Sequence, residues 1–152
     1  MKKAMPSTGR VEVRLESSLE SVDLAEEMAR RFAQAAGFSE EDLDKIGMSV
    51  REGLVNAVHH GNKYDTHKRA GLRLEMEGPN LVVTVTDQGS GFELAGVPNP
   101  LASENLLKQT GRGIFLMRAF MDEVEVRRLS PTGTEVRMTK HAVPTNGKEE
   151  QR

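Results

Sequence analysis

The chain has 152 residues, which is enough for one domain with a hydrophobic core and too few for two full domains. Its 21 Lys and Arg residues nearly balance 23 Asp and Glu residues, and the formal net charge of −2 argues against a protein that coats nucleic acid. The lack of cysteine excludes a disulfide scaffold and thiolate chemistry, and the scarcity of aromatic residues disfavours a base-stacking surface.

The two ends of the chain differ in composition from the region between them. Residues 1–9 predict a flexible arm, residues 10–140 a folded domain, and residues 141–152 a polar, flexible tail. No uncharged stretch approaches the roughly 18 residues that a membrane helix requires. The basic start, Met1–Pro6, is not followed by the apolar core of a signal peptide. These features predict a cytoplasmic protein.

The first half of the domain predicts one strand followed by two amphipathic helices. Apolar and polar residues alternate over residues 11–15, as in a half-buried strand. Ser17–Glu20 resembles a capping box for a first helix that stops at Gly37, and Ser39–Asp42 resembles one for a second helix that ends at Gly61. The apolar stripes of these helices comprise Val22, Ala25, Ala29, Phe32 and Ala36, and then Leu43, Ile46, Val50, Leu54 and Ala57.

The second half predicts two hairpins separated by a long loop and a short helix. Alternating apolar residues on both sides of Gly78–Asn80 indicate the first hairpin, and the turn Ser130–Gly133 indicates the second. Residues 88–112 predict a long functional loop, and apolar residues over 114–121 predict a short helix. The order β-α-α-β-β-loop-α-β-β indicates an α+β two-layer sandwich, with a mixed, mostly antiparallel sheet and helices on one face.

The second helix carries the first candidate for chemistry. At about 100° per residue, Glu52 lies opposite the stripe that begins at Leu43, and Asn56 shares its face one turn later. A carboxylate can accept a hydroxyl proton, and an amide oxygen suits Mg²⁺. A single Glu/Asn pair at this spacing is more often a solvated helix face, so the pair alone is a weak signal.

The second candidate follows a strand that the sequence predicts to be buried. Asp87 comes directly after this strand, so its carboxylate is held at the strand tip, where it can accept a hydrogen bond from an exocyclic amino group such as that of adenine. Gly89 and Gly91 permit a sharp turn and a close approach of backbone to a ligand. The competing interpretation is a polar turn that closes the strand.

The third candidate, Gly111-Arg112-Gly113, opens the short helix. Glycines before a helix N-terminus expose backbone N–H groups to an anion. The chain has no G-x-x-x-x-G-K-[S/T] segment, which excludes a P-loop, and it lacks the third glycine of the dinucleotide-binding fingerprint. An isolated G-x-G is again a weak signal.

Taken in this order, the three signals resemble the Bergerat-type ATP-binding domain of gyrase, histidine kinases and MutL. Residues 48–62, 113–124 and 133–138 most resemble the small bacterial anti-sigma factor serine kinases of the RsbW and SpoIIAB type, and the resemblance runs from about residue 11 to residue 140. The motifs that carry it are Glu52-x-x-x-Asn56-Ala57 (N box), Asp87-x-Gly89-x-Gly91-Phe92 and Gly111-x-Gly113 (glycine boxes), and Gly133-Thr134.

The resemblance implies an ATP- and Mg²⁺-dependent serine/threonine kinase that phosphorylates a small STAS-domain antagonist and sequesters a sigma factor, as a homodimer. It assigns no direct binding to nucleic acid or membrane. By the same resemblance, Glu52 is the general base, Asn56 the Mg²⁺ ligand in the nucleotide site, and Asp87 the residue that recognises adenine. The other nucleotide-binding residues that it implies are Gly89, Gly91, Gly111, Arg112, Gly113 and Thr134.

This sequence departs from the kinase pattern at a few positions. Gln109 stands where some relatives have an Arg near the γ-phosphate, which leaves that role to Lys108 or Arg112. Arg51 replaces the usual Ser, and Gly53 replaces the usual Ala. Residues 93–110 would form the lid over the phosphates.

Two other functions remain open at this point. A nucleotide-dependent protein-binding module needs no general base, so Glu52 favours the enzyme. The catalytic domain of a histidine kinase usually has Asn where Glu52 stands and requires a phospho-acceptor hairpin, for which this chain has no room unless the hairpin lies on another chain.

Overall fold

The computed structural model describes residues 9–89 and 112–142, and it places helices against one antiparallel sheet. The strands pair in the order β1-β2-β3-β5-β4, and each pairing is antiparallel. The predicted α+β class is therefore confirmed, although this part of the chain contains no parallel pair. The elements are β1 (Arg10–Glu16), α1 (Leu19–Ala35), α2 (Glu40–Val55), a π-helical turn (Asn56–Gly61), β2 (Arg69–Glu77), β3 (Asn80–Thr86), α3 (residues 112–120), β4 (Glu123–Arg128) and β5 (Thr134–Lys140).

Several predicted segments lie wholly or mostly outside the described residues. These are the terminal arm up to residue 8, the tail from residue 143, and the loop over residues 90–111, which includes the lid. The proposed domain boundaries therefore stay predictions. Within residues 9–89 and 112–142, no helix has the length and apolar character needed to cross a membrane.

Helices α1 and α2 both begin at serine caps, one of them a residue later than predicted. The hydroxyl of Ser39 accepts a hydrogen bond from the backbone N–H three residues later at 3.1 Å, as the second capping box predicts. The prediction of Ser17 as the first cap is wrong, because the cap is Ser18, which accepts from the N–H of Ser21 at 3.2 Å. The Ser17 hydroxyl instead donates to the backbone carbonyl of Lys68 at 2.7 Å.

The core lies between α1, α2 and the inner face of the sheet. The five predicted stripe positions of α2 are all buried, and Ile46, Val50 and Leu54 are completely shielded from solvent. Four of the five stripe positions of α1 are buried as well, and the fifth, Ala36, packs against the same core. Alternate strand residues complete this core, chiefly Ala70, Leu72, Leu74, Leu81, Val83, Val85, Val136 and Met138.

The outer face of the sheet is polar, as the period-two pattern of its strands predicts. One row across the strands runs Glu12, Arg73, Thr84, Arg137 and Glu125 in register. The row alternates in charge at its ends, and the guanidinium of Arg73 lies 3.6 Å from the carboxylate of Glu12. The described helices therefore cover one face of the sheet, as predicted.

Ion pairs join α1 to α2 and explain one of the departures from the kinase pattern. Nη1 of Arg51 lies 2.7 Å from Asp23 Oδ1 and 3.0 Å from Glu26 Oε1, both on α1. Arg30 of α1 reaches in the opposite direction, to Asp44 at 2.8 Å. A serine at position 51 is too short to make these contacts, so Arg51 here fastens the two helices together.

The burial of α2 gives a direct test of the core. We expect Ile46→Ala to lower the free energy of unfolding by about 2–5 kcal/mol, because the lost methyl groups leave a cavity under the sheet. Met48→Ala, two residues away on the same helix and 45% exposed, is the matched control and should change it by less than about 0.5 kcal/mol. Urea denaturation measures both, and equal effects would contradict the described packing.

Candidate functional site

The helix face that carries Glu52 and Asn56 is covered by the start of α3. Both side chains are half-buried rather than fully solvated. A Cβ atom added to Gly113 would lie 3.2 Å from Glu52 Oε1 and 3.2 Å from Asn56 Nδ2. The first and third sequence signals, which are 57 residues apart between Asn56 and Gly113, therefore meet. The missing side chain of Gly113 is what lets the α3 backbone approach these two polar groups.

Asp87 is held at the tip of β3 by backbone hydrogen bonds. Its side chain is almost fully buried, and Oδ1 accepts from the N–H of Gly89 at 3.0 Å and from the N–H of Thr134 at 3.2 Å. The N–H of Asp87 also donates to the carbonyl of Thr134 at 3.0 Å. Gly133 has φ +108°, and a Cβ there would overlap the Asp87 carbonyl oxygen. A glycine is therefore required where β5 starts beside Asp87.

Burial raises the pKa of Asp87 above its usual range. The N–H groups of Gly89 and Thr134 oppose this shift, as does the positive charge of Lys68, because each of them favours the ionised carboxylate. The result is a carboxylate of fixed orientation whose ionised form is stabilised only in part by the protein. Such a group is suited to accept a further hydrogen bond from a ligand.

A π-helical turn brings the end of the Glu52 helix onto Asp87. After Val55 the backbone hydrogen bonds span five residues instead of four. The N–H of Asn62, for example, donates to the carbonyl of Ala57 at 2.8 Å. Gly61 ends this turn directly against the Asp87 carboxylate, and a Cβ on Gly61 would overlap Oδ2. A Cβ on Gly89 would likewise overlap the Gly61 carbonyl oxygen.

The remaining predicted site residues are placed unevenly. Arg112 is the first residue of α3 and is exposed, whereas Gly89 is buried. Thr134 contributes its backbone N–H and carbonyl to Asp87. Gly91 and Gly111 lie outside the described residues.

Sequence reasoning missed two residues of this region. Gly61 was predicted only to end the helix, although it forms part of the contact with Asp87, and Asn62 was not singled out at all. The available signal was the Gly61-Asn62 pair just after Asn56, since the other helices within residues 9–89 and 112–142 end without such a pair. The spacing of apolar residues does not reveal the π-helical turn, because the neighbouring residues Ala57 and Val58 are both buried.

The arrangement places two chemically different groups of residues along α2 and the π-helical turn. A carboxylate and an amide stand beside Gly113 at one end, and a buried carboxylate stands at the other. Between Glu52 and Gly61 the helix rises at most about 14 Å at 1.5 Å per residue, since a π-helical turn is more compressed. Within the described ranges, no three His, Asp or Glu side chains form a metal-ligand cluster.

Comparisons with known proteins give a consistent family. The profile of the family described as "Histidine kinase-like ATPase domain" matches residues 15–140. Serine-protein kinase RsbW of Bacillus velezensis is 28% identical over 89% of this chain and 87% of its own length. Serine-protein kinase RsbW of Staphylococcus epidermidis is 30% identical over 86% of each chain. The anti-sigma F factor of Bacillus subtilis is 29% identical over 66% of this chain and 70% of its own length.

A solved structure supports the same fold. The crystal structure of the RsbU and RsbW domains of Rv1364c from Mycobacterium tuberculosis superposes with a TM-score of 0.62 over 89% of this chain. The match spans 32% of that longer chain at 15% identity, so it speaks for the fold alone.

The raised pKa of Asp87 predicts an unusual pH dependence of stability. The folded state binds this proton more tightly than the unfolded chain does, so ionisation of Asp87 costs folding free energy as the pH rises through its folded pKa. Asp87→Asn keeps an acceptor for both N–H groups and carries no charge. We therefore expect it to melt at a higher temperature than the unaltered protein at pH 7, and expect the difference to vanish at low pH.

Asp65→Asn is the control of opposite sign for that experiment. A hydrogen bond from the N–H of His67 lowers the pKa of Asp65, so its charged form stabilises the fold and its loss should lower the melting temperature at pH 7. Scanning calorimetry across the pH range measures both variants. A destabilised Asp87→Asn protein at pH 7 would contradict the electrostatic account of Asp87.

Proposed function

The chain belongs to the family of histidine kinase-like ATPase domains, and from this we propose that it is an anti-sigma factor with serine/threonine protein kinase activity. It phosphorylates a small anti-sigma antagonist with ATP and sequesters a sigma factor. The names of its relatives, serine-protein kinase RsbW and anti-sigma F factor, support both parts of this function.

The observation that carries the proposal is the meeting of three sequence signals along one helix. Glu52 and Asn56 lie against Gly113, and the same helix continues to Gly61, which lies against Asp87. Phosphoryl transfer depends mainly on positioning and electrostatic stabilisation rather than on covalent participation of the protein. One helix that positions groups for the phosphates at one end and for the adenine base at the other meets that requirement.

We assign the chemical step to the Gly113 end of the site. Bound ATP with Mg²⁺ supplies the transferable phosphoryl group and the positive charge that neutralises it. The Glu52 carboxylate would accept the proton of the attacking serine or threonine hydroxyl as that oxygen bonds to the γ-phosphorus and ADP leaves, and the Asn56 side-chain oxygen would be a ligand of the cation. This assignment is supported by the close approach of the Gly113 backbone to Glu52 and Asn56, which a side chain at Gly113 would obstruct. The N-terminus of α3, where Arg112 and Gly113 lie, offers backbone N–H groups to an anion.

We assign base recognition to the Asp87 end. Asp87 accepts a hydrogen bond from the adenine amino group, while Thr134 and Gly89 hold the carboxylate in place. Gly91 and Gly111 belong to the same proposal as backbone elements around the nucleotide.

Partners and location complete the proposal. The antagonist is a STAS-domain protein, the second partner is a sigma factor, the kinase is a homodimer, and the reaction takes place in the cytoplasm. The ion-paired α1–α2 pair leaves Leu19 and Leu24 of α1 exposed, and a protein-binding surface on α1 accords with that. No direct contact with nucleic acid or membrane is part of this function.

The roles proposed for Glu52 and Asn56 predict the loss of different activities, phosphoryl transfer for one and Mg²⁺-dependent binding for the other. Glu52→Gln should retain Mg²⁺-dependent ATP binding within about threefold and lower phosphoryl transfer by at least about 100-fold, because the base is lost while the shape is kept. Asn56→Ala should abolish the Mg²⁺ dependence of binding. Glu41→Gln, on the exposed start of α2, is the control and should change neither quantity.

Binding is measured by calorimetry with and without Mg²⁺, and transfer by labelled ATP with a purified antagonist. Equal ATP affinity in Asn56→Ala and the unaltered protein would overturn the assignment of the site. An unaltered protein that binds ATP and a sigma factor but never labels the antagonist would instead support a non-catalytic binding module.

A further inference from the structure

Asn62 lies just beyond the π-helical turn and is buried with both ends of its side-chain amide bonded. It is 1% exposed. Its Oδ1 accepts from the backbone N–H of Gln88 at 2.8 Å, and its Nδ2 donates to the hydroxyl of Ser17 at 2.9 Å. Its backbone is fixed as well, through the bond of its N–H to Ala57 and a bond from the N–H of Asp65 to its carbonyl at 2.9 Å.

The bond to Gln88 acts on the peptide unit that follows Asp87. The N–H of Gln88 belongs to the peptide plane that joins it to Asp87, so an acceptor fixed in space sets the orientation of that plane. The next N–H, that of Gly89, is already bonded to Asp87 itself. Asn62 therefore supplies the contact that orients this peptide plane, in addition to the bonds of Asp87 with Thr134 and of the Gln88 side chain with Arg69.

The Nδ2 end of the Asn62 side chain is bonded to Ser17, which directly follows the edge strand β1. The hydroxyl of Ser17 in turn donates a hydrogen bond to the backbone carbonyl of Lys68. The side chain of Gln88 accepts from the N–H of Arg69 at 2.6 Å. The segment after Asp87 is thus tied to the end of β1, to the start of β2 and to the end of the π-helical turn, with Asn62 at the centre.

We propose that Asn62 is a positioning residue that sets the base selectivity of the nucleotide site by fixing the Asp87–Gln88 peptide relative to the helix that carries Asn56. This inference rests on the proposed function. Asn62 contacts no part of the reacting groups and acts only through Asp87. Asn62 lies six positions after Asn56 on one hydrogen-bonded segment, so the base end of the site stays aligned with the phosphate end.

The consequence is a preference for a 6-amino over a 6-oxo purine. An oriented Asp87 carboxylate accepts from the amino group of adenine and repels the carbonyl oxygen of hypoxanthine. When the Asp87–Gln88 peptide can shift, the carboxylate distinguishes the two bases less well, because its lone pairs no longer point at one position.

The experiment compares the affinities for ADP and IDP in two variants that cut the same network at different bonds. Asn62→Ala should reduce the ADP-over-IDP ratio about tenfold, equivalent to about 1.4 kcal/mol, because the Gln88 N–H loses its acceptor. Ser17→Ala removes the two bonds of the hydroxyl, to Asn62 Nδ2 and to the Lys68 carbonyl, and keeps the contact of Asn62 with Gln88. It should leave the ratio within about twofold, although both variants lose thermal stability.

The outcomes separate this inference from the function on which it rests. If the unaltered protein binds no ADP, the proposed function fails. If ADP binds and Asn62→Ala leaves the ratio unchanged, or Ser17→Ala lowers it equally, Asn62 is merely structural and the inference fails. Should Asn62→Ala not fold, Asn62→Leu fills the space without an acceptor and is held to the same criterion.

A measurement on the unaltered protein decides the matter if neither variant folds. The Gln88 amide should exchange with solvent at least about tenfold more slowly than an unstructured amide when no nucleotide is bound. Fast exchange in that state would overturn the inference, because a peptide that opens freely cannot orient Asp87.

Discussion

The contact between Gly61 and Asp87 is the constraint on which the rest of the site depends. It joins the end of one helix to the tip of one strand, and it exists only because neither Gly61 nor Gly89 has a side chain. Any Cβ at either position would overlap the carboxylate or the neighbouring carbonyl. Two segments that are far apart in sequence are thereby held in contact, and the described residues Glu52, Asn56, Gly113 and Thr134 lie on one of them or against one of them.

Burial and hydrogen bonding act in opposite directions on the same carboxylate. Burial of Asp87 destabilises its ionised form, and hydrogen bonds from the N–H groups of Gly89 and Thr134 offset part of that destabilisation. The donors are fixed by secondary structure rather than by mobile side chains, so little reorganisation is needed when a ligand arrives. The glycines therefore serve both the shape of the site and its electrostatics, because they admit the backbone that carries these donors.

Much of the fold could be predicted from the residues because the signals were local. The apolar stripe from Leu43 to Ala57 needs only the helical period, and Ser39 needs only its own neighbours to cap α2. The first cap was misplaced because Ser17 and Ser18 both fit locally, and a contact with Lys68, 51 residues away in the chain, decided between them. A local sequence pattern carries no information about a hydrogen bond between residues so far apart in the chain.

The candidate site was predictable in its residue types and not in its supports. Glu52, Asn56 and Asp87 stand out because polar groups with a known chemistry occupy unusual places in the pattern. Asn62 does not stand out, since an asparagine after a glycine reads as an ordinary turn residue. Its burial is visible only once β1 and the segment after β3 are packed around it.

The π-helical turn also limits how the chain length can vary. The same six residues from Asn56 to Gly61 in ordinary α-helical winding would rotate the helix end by roughly 90°, because a π-helical turn advances fewer degrees per residue. The glycine would then leave the carboxylate, and a side chain would face it instead. Length and winding are therefore coupled in this segment. A homologous chain that is one residue shorter here would need ordinary α-helical winding to keep its glycine in place, whereas length changes at the exposed Gly78–Pro79 hairpin turn leave the site unaffected.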